Sequence, residues 1–406
     1  MTHSPGPHHT TDTAHDPTSL PADLPVPVDD GACLHLLGQD LPSLALRTTD
    51  PGRGDVHLGT LSRPAVLFFY PRTGIPGKPP GRREDGVEWD RLPGARGCTP
   101  QACGFRDLRA DFDAHGVDVL GVSTNSSEHQ QEFAARAAIT FPLLSDASLR
   151  LTHAMRLPTF DFPVEPHLTR TLLRRMAWFV EPPSGPGLSE VPRPPRIRHV
   201  WYPVFPPDAN AHAVLSWVRE RSAVRLEKRT AAHDSFVLEE LTRHWGSTQI
   251  WSRGVCYEAD RIEAVIAMRG STPVGLITFD VLAGGTQLEV VTLSSREPGR
   301  GVGLRLLQAA EDIARDRGCW RIFLTTTNDN IRAIRFYQQA GWSMAALHRG
   351  IIDHARSRGA RIPRLGLHGL PLRDEIEFER EFPLTMPAAS APEHVSTHDS
   401  GGNRYP

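Results

Sequence analysis

The chain has 406 residues, 39% hydrophobic and 23% charged, with a formal net charge of −2. That length holds two or three domains, and the near-zero charge gives no electrostatic case for nucleic acid or an anionic membrane as partner. No apolar run approaches the roughly 20 residues of a membrane span, and the polar N-terminus has no secretory apolar core. Five cysteines in a chain this long are too few for a disulfide framework. The expectation is a cytoplasmic protein with its redox chemistry confined to one cysteine pair.

Residues 1–25 are predicted to be a disordered tail. His3, His8, His9 and His15 lack the fixed spacing and acidic neighbours of a metal site. Residues 26–222 read as one α/β unit. Apolar, β-branched stretches predict strands over 43–47, 65–70, 117–123, 175–181 and 197–202. Helices are predicted over 99–115, 127–137 and 210–221. A Pro/Gly/Ser-rich loop, 182–195, joins the last two strands. A second α/β unit spans 223–385, and 386–406 is again predicted to be disordered. The two halves share no pattern, so the boundary near 222 separates units expected to fold independently.

The most informative stretch is Gly97-Cys98-Thr99-Pro100-Gln101-Ala102-Cys103-Gly104-Phe105-Arg106-Asp107. It follows the apolar strand 65–70 across a Gly/Pro-rich loop and opens a helix. A cysteine at such a corner is where a thiolate is stabilised, because the N–H groups at a helix start favour negative charge. The alternatives are two core cysteines on an amphipathic helix or half a zinc site. The C-x4-C spacing, with no second Cys/His pair nearby, disfavours zinc, and no metal site is expected anywhere.

This wording resembles peroxiredoxins of the bacterioferritin co-migratory (peroxiredoxin Q) type, and the order strand–Cys–helix–strand resembles the thioredoxin-like fold. The resemblance implies that Cys98 attacks peroxide, becomes a sulfenic acid, and is resolved by Cys103. It implies a thioredoxin-like or low-molecular-weight thiol as reductant. Leu173-Arg174-Arg175-Met176-Ala177-Trp178-Phe179-Val180 resembles the family strand that bears the catalytic arginine, and Arg175 fits better than Arg174. The sequence departs from the family in two places. Residues 72–95 form a long insertion that contains Trp89, either a lid or a loose loop. Ala95 stands where the family has threonine three residues before the attacker; Thr99 is the hydroxyl candidate in its place.

In the second unit a strand over 288–293 runs into Arg296-Glu297-Pro298-Gly299-Arg300-Gly301-Val302-Gly303 and then a helix over 304–317. A glycine-rich turn that opens a helix exposes backbone N–H groups to a pyrophosphate. After a strand over 321–326 comes Asn330-Ile331-Arg332-Ala333-Ile334-Arg335-Phe336-Tyr337-Gln338-Gln339-Ala340-Gly341-Trp342. This resembles motif B of the GNAT superfamily of N-acetyltransferases, and the resemblance covers residues 248–382. It implies acetyl-CoA as co-substrate and an amine of unknown identity as acceptor. Gly299, Arg300, Gly301, Val302, Gly303 and Leu304 would hold the pyrophosphate, with Val291 and Leu293 of the strand and Asn330 completing the site. Two glycine registers are possible, and the helix start favours Gly301 and Gly303 over Gly299 and Gly301. Tyr337 is cast as the acid for the departing thiolate or as a packed aromatic. Glu289 is cast as the base or as a solvated strand carboxylate, and Asn330 as a CoA tether or a helix cap. The alternating charges of 373–379 read as a solvated strand face.

The expected fold is α/β throughout: a thioredoxin-like peroxiredoxin domain followed by a GNAT-type acetyltransferase domain. The expected function is thiol-dependent peroxide reduction plus acetylation of an amine. The alternative is a peroxidase whose second half is a non-catalytic CoA- or partner-binding module.

Overall fold

The computed structural model of the chain describes residues 16–50, 52, 54–76, 81–165, 168–182, 193–259, 261–282 and 284–382. The tail histidines, segment 386–406 and most of the loop expected at 182–195 lie outside the described residues. Residues 16–25 depart from the expected disordered tail. Pro17 is buried, and Arg96 donates to the carbonyls of Asp16 and Ser19.

The first half is a seven-stranded sheet built from β1 (Ala45–Thr48), β2 (Val56–His57), β3 (Ala65–Phe69), β4 (Asp118–Ser123), β5 (Leu143–Ser145), β8 (Met176–Glu181) and β9 (Arg196–Trp201) in the order β2-β1-β5-β4-β3-β8-β9. Strands β3, β4 and β5 are parallel, while β8 and β9 return antiparallel beside β3. All five residues of β3 are buried, which is why it reads as a continuous apolar run. Ala65, Leu67 and Phe69 face one core, and Val66, Phe68 and the following Tyr70 face the other. That second core receives α1 (Cys98–Asp107), α2 (Arg109–Ala114), α3 (Ser127–Arg136) and α5 (Asn210–Ser222). The single helix expected over 99–115 is two, because Leu108 leaves the helical region at φ −98°, ψ 10°. Short α4 (Arg150–Ala154) and the hairpin β6 (Thr159–Glu165) and β7 (Leu168–Leu173) had no sequence prediction.

The insertion after β3 is anchored at Trp89 and Ala95, near its end. Trp89 is buried and meets the ring of Phe162 edge-on at 4.9 Å. Trp89, Ala95, Phe162 and Leu172 form a small satellite core that joins the insertion to the hairpin.

The chain leaves α5 and enters β10 (Val224–Lys228), the edge of a second seven-stranded sheet. Helix α6 (Asp234–Trp245) and the hairpin β11 (Gln249–Ser252) and β12 (Val255–Glu258) lie outside that sheet. Its remaining strands are β13 (Glu263–Arg269), β14 (Thr272–Val281), β15 (Gln287–Ser295), β16 (Arg321–Thr327), β17 (Ser343–His348) and β18 (Glu375–Glu381), in the order β10-β13-β14-β15-β16-β18-β17. Helices α7 (Val302–Asp316), α8 (Ile331–Gln339) and α9 (Ile351–Ser357) complete it. The apolar stripe of α7 (Val302, Leu306, Leu307, Ala310, Ala314) packs on Val290, Leu288 and Leu324 of the sheet.

Each half keeps its own apolar cores, and the seam between them is polar. Its central acid is Asp312 of α7, which pairs with Arg196 at 3.1 Å and Arg198 at 2.6 Å, both on β9. Asp40 bridges Arg196 and Arg315. Gln308 donates to the carbonyl of Arg198 at 2.9 Å, and Arg305 donates to that of Arg221. Arg380 joins Glu311 to the carbonyl of Leu37. Arg196 and Arg198 are buried, so each needs its carboxylate partner.

Reversing the central charge should therefore be costly. Asp312→Arg is expected to lose about 2–4 kcal/mol in urea unfolding. Asp353→Arg, which disturbs only the exposed pair with Arg356, should lose less than about 1 kcal/mol.

Candidate active sites

Arg175 immediately precedes β8, which lies between β3 and β9, and its guanidinium reaches the start of α1. Cys98 is the first residue of that helix and 4% exposed. One Nη of Arg175 lies 3.2 Å from Cys98 Sγ and also donates to the carbonyls of Ala95 at 3.0 Å and Arg96 at 3.1 Å. Nε donates to Gly94 at 3.2 Å, and the other Nη to Gln101 Oε1. Gln101 in turn donates to Asn210 Oδ1 at 2.9 Å, at the start of α5. Arg174 has no such contact with Cys98; its backbone N–H bonds the carbonyl of Pro158.

The helix start depends on Gly97, the N-cap, which sits in the left-handed region at φ +100°. First-turn N–H groups of α1 have no partner within the helix and attract negative charge at Cys98. Thr99 is buried, and its Oγ1 has no hydrogen-bond partner. Ala95, in the threonine position, contributes only its carbonyl. Cys103 lies in the same continuous helix, half-buried, and burial raises its thiol pKa while Arg106 pulls it down. Burial, and then the proximity of Cys98, hold Tyr70 far above its usual pKa, so it stays neutral and donates to Gln130 at 2.6 Å. Of the remaining cysteines, Cys33 and Cys319 are buried and Cys256 is exposed; burial pushes the Cys33 thiol up to about 12.

In the second half, β15 and β16 run parallel for four pairs, from Gln287↔Arg321 to Val290↔Leu324, and then part although both strands continue. A bulge at Val291 turns β15 at that point. Val291 and Leu293, both half-buried, follow the split. The turn beyond β15 places Gly299 and Gly301 at φ +80° and +74°, with Gly301 the N-cap of α7. A Cβ on Gly301 would meet nothing within 4 Å, so this corner has room for a ligand. Gly303 lies in the first helical turn, against Phe336, beside Val302 and Leu304. Arg300 is exposed and lies 3.8 Å from Glu220. Arg296 is taken up by Glu239 and Glu240.

Asn330 caps α8, its Oδ1 accepting from the N–H of Ala333 at 3.1 Å. Tyr337 is buried among Phe336, Trp342 and Phe378, and burial raises its pKa, so it holds its proton. Glu289 is fully buried, which corrects the solvated alternative. It accepts from Ser252 at 2.6 Å, Arg253 at 2.8 Å and Tyr257 at 2.8 Å. Ser252 also meets the Thr325 hydroxyl at 3.0 Å, and Glu375 accepts from the backbone N–H of Arg253 at 3.0 Å. Burial pushes Glu375 above the usual carboxylate range. The strand 375–381 is therefore no solvated face: Glu375 and Glu377 are buried, and Glu377 pairs with Arg321 and His348.

Residues 93–180 match the AhpC/TSA family, and residues 225–342 match the acetyltransferase (GNAT) family. The chain is a fusion of a peroxiredoxin domain and a GNAT domain. Peroxiredoxin Bcp of Escherichia coli (strain K12) is 50% identical over 81 residues, 20% of this chain and 39% of that one. Peroxiredoxin Q, chloroplastic, of Sedum lineare is 32% identical over 104 residues, 26% of this chain and 45% of that one. YdhI, an uncharacterised protein of Bacillus subtilis (strain 168), is 34% identical over 139 residues, 34% of this chain and 86% of that one. The chain thus spans less than half the length of these two peroxiredoxins.

The peroxiredoxin site brings Cys98, Thr99 and Arg175 together and adds Gln101 and Asn210. Gln101 lies inside the cysteine motif and could have been noticed there. Asn210, 109 residues further on, carries no local signal. The GNAT half adds Ser252, Arg253 and Tyr257, which the separate β11–β12 hairpin brings to Glu289, and Glu375, which accepts from the backbone of Arg253. Among the described residues no cluster of three or more His, Cys, Asp or Glu side chains could hold a metal ion. No helix among them is long and apolar enough to cross a membrane.

Gly97 offers a stringent test of the helix start. An added Cβ would stand 2.2 Å from Pro207 Cγ at a backbone angle that L residues rarely adopt. Gly97→Ala should cost about 2–4 kcal/mol in chemical denaturation, whereas Gly116→Ala, also at positive φ but in open space, should cost about 1 kcal/mol.

Proposed function

We propose that the chain is a bifunctional enzyme that reduces peroxides through Cys98 and acetylates an amine from acetyl-CoA. The observation that carries the first activity is the 3.2 Å approach of the buried Arg175 to Cys98 Sγ at a helix start. Peroxide reduction requires the thiolate, and the guanidinium balances its charge. Cys98 Sγ attacks one peroxide oxygen, the O–O bond breaks, and the other oxygen leaves as alcohol or water once protonated. Cys98 is then a sulfenic acid. Thr99 Oγ1 is the unpaired hydrogen-bonding group of this corner and is assigned to the bound peroxide. Cys103 attacks the sulfenic sulfur, releasing water and forming a disulfide. A thioredoxin-like or small thiol then reduces that disulfide.

For the second activity, the split between β15 and β16 and the open corner at Gly301 suit acetyl-CoA, with the pyrophosphate on the N–H groups of Arg300 to Leu304. Acetyl-CoA supplies the acetyl group, and the acceptor must present a neutral amine. Tyr337, held protonated, supplies a proton to the departing thiol. Acceptance of the amine proton is assigned to the buried carboxyls Glu289 and Glu375, which Arg253 joins through its guanidinium and its backbone N–H, and burial raises the pKa of Glu375. One observation favours the binding-module reading: Glu289 has three donors on it and no room to act alone. Acetyl-CoA binding without transfer to any member of a panel of polyamines, aminoglycosides, amino acids and peptide N-termini would select that reading.

Cys98→Ser should abolish peroxide consumption, and Arg175→Met should slow the second-order reaction about a hundredfold. Full turnover in Cys98→Ser would overturn the assignment. Resolution should also unwind the helix. Five residues along a helix advance about 7.5 Å and turn about 140°, leaving the Cα atoms about 8–9 Å apart, beyond the roughly 7 Å a disulfide spans. Amides of Thr99 to Ala102 should therefore exchange faster in the disulfide form than in the reduced form. Equal protection, with the Cys98–Cys103 bond confirmed by mass spectrometry, would refute this route.

The CoA corner has its own test. Gly301→Val fills the space before α7, and calorimetry should show acetyl-CoA affinity falling by more than about tenfold. Unchanged affinity would remove this turn from the site.

A further inference from the structure

Neither activity uses the segment ahead of β1, yet it lies against the residue before the attacking cysteine. Arg96, 7% exposed, clamps it: the guanidinium donates to the Ser19 carbonyl from Nε at 3.3 Å and from Nη at 3.0 Å, and also to the Asp16 carbonyl. Arg91 adds an exposed ion pair with Asp23 at 3.1 Å. Pro17 is buried beneath this segment's path. Leu20 is then laid on Gly97: its Cδ2 would stand 3.0 Å from a Cβ there, on a position already touched by Pro207.

Gly97 is the N-cap of α1, and Cys98, the first residue of that helix, is 4% exposed. We propose that residues 16–24 are a strap across the mouth of the Cys98 site, and that Leu20 makes it a size filter. The filter admits hydrogen peroxide and slows bulky organic hydroperoxides. The Asp16 and Ser19 carbonyls on buried Arg96 and the exposed Asp23–Arg91 pair help to hold the strap, and the exposed pair contributes under about 1 kcal/mol. The Leu20 side chain on Gly97 sets the restriction. The proposal rests on the reading of Cys98 as the peroxide-reactive thiol.

The test uses the full chain with Leu20→Ala and Leu20→Gly. Second-order rates with hydrogen peroxide and cumene hydroperoxide are measured on the reduced protein. In parallel, peptide mass spectrometry follows Cys98 alkylation by iodoacetamide and by a bulky N-aryl maleimide. Leu20→Gly should raise the cumene hydroperoxide rate about tenfold, with hydrogen peroxide within about twofold and Leu20→Ala in between. The maleimide-to-iodoacetamide ratio at Cys98 should rise in the same order. Both ratios unchanged in both variants would overturn the strap. If no variant consumes peroxide while the alkylation ratio still rises, the strap stands and the peroxidase reading falls.

Discussion

A buried guanidinium without a carboxylate organises the first half. Arg175 is 3% exposed, and its hydrogen-bond partners are three main-chain carbonyls, one side-chain amide oxygen and the Cys98 sulfur. An unpaired buried charge is expensive, and these five acceptors offset that cost. The three carbonyls belong to consecutive residues, Gly94, Ala95 and Arg96. By gathering them, Arg175 fixes the end of the insertion, sets Gly97 in its left-handed conformation and aims the first turn of α1. The packed satellite core around Trp89 holds the insertion's other portion in place.

The GNAT half solves a different problem, which is to keep two parallel strands apart. Strands β15 and β16 stop pairing after Val290↔Leu324, and the backbone groups left over lie beside a dense polar network. Glu289, Glu375 and Glu377 are all buried there; Glu289 accepts from Ser252, Glu375 from the backbone N–H of Arg253, and Glu377 pairs with Arg321. Satisfied networks of this kind specify one arrangement of strands, and this one is supplied largely by the β11–β12 hairpin. That hairpin presents Ser252, Arg253 and Tyr257 to Glu289 from outside the sheet.

What was legible in the sequence was what is local. The apolar run before Tyr70, the corner at Cys98 and the turn from Gly299 to Gly303 all announce themselves within a dozen residues. Arg175 rather than Arg174 follows from the resemblance to the family strand, in which the arginine stands directly before the alternating apolar residues. The misses are of two physical kinds. Short elements such as β5 and the β6–β7 hairpin have too few residues for periodicity to register. Buried carboxylates such as Glu375 look like surface charges until a cross-strand partner is known, because alternation reveals a face but not what covers it. Residues 16–25 carry a similar hidden partner: the distant Arg96 binds the carbonyls of Asp16 and Ser19.

Helix α5 touches both centres. Its first residue, Asn210, receives Gln101 from the Cys98 helix. Its last turn gives Glu220 to Arg269 and Arg300, and the carbonyl of Arg221 to Arg305 of α7. Thirteen residues make a rod about 20 Å long whose two ends are keyed to different candidate sites. Inserting a single residue in it would rotate one end by about 100° relative to the other. One of the two sets of bonds would then have to break, so the helix's length and phase are jointly fixed, as they are in a shaft keyed at both ends.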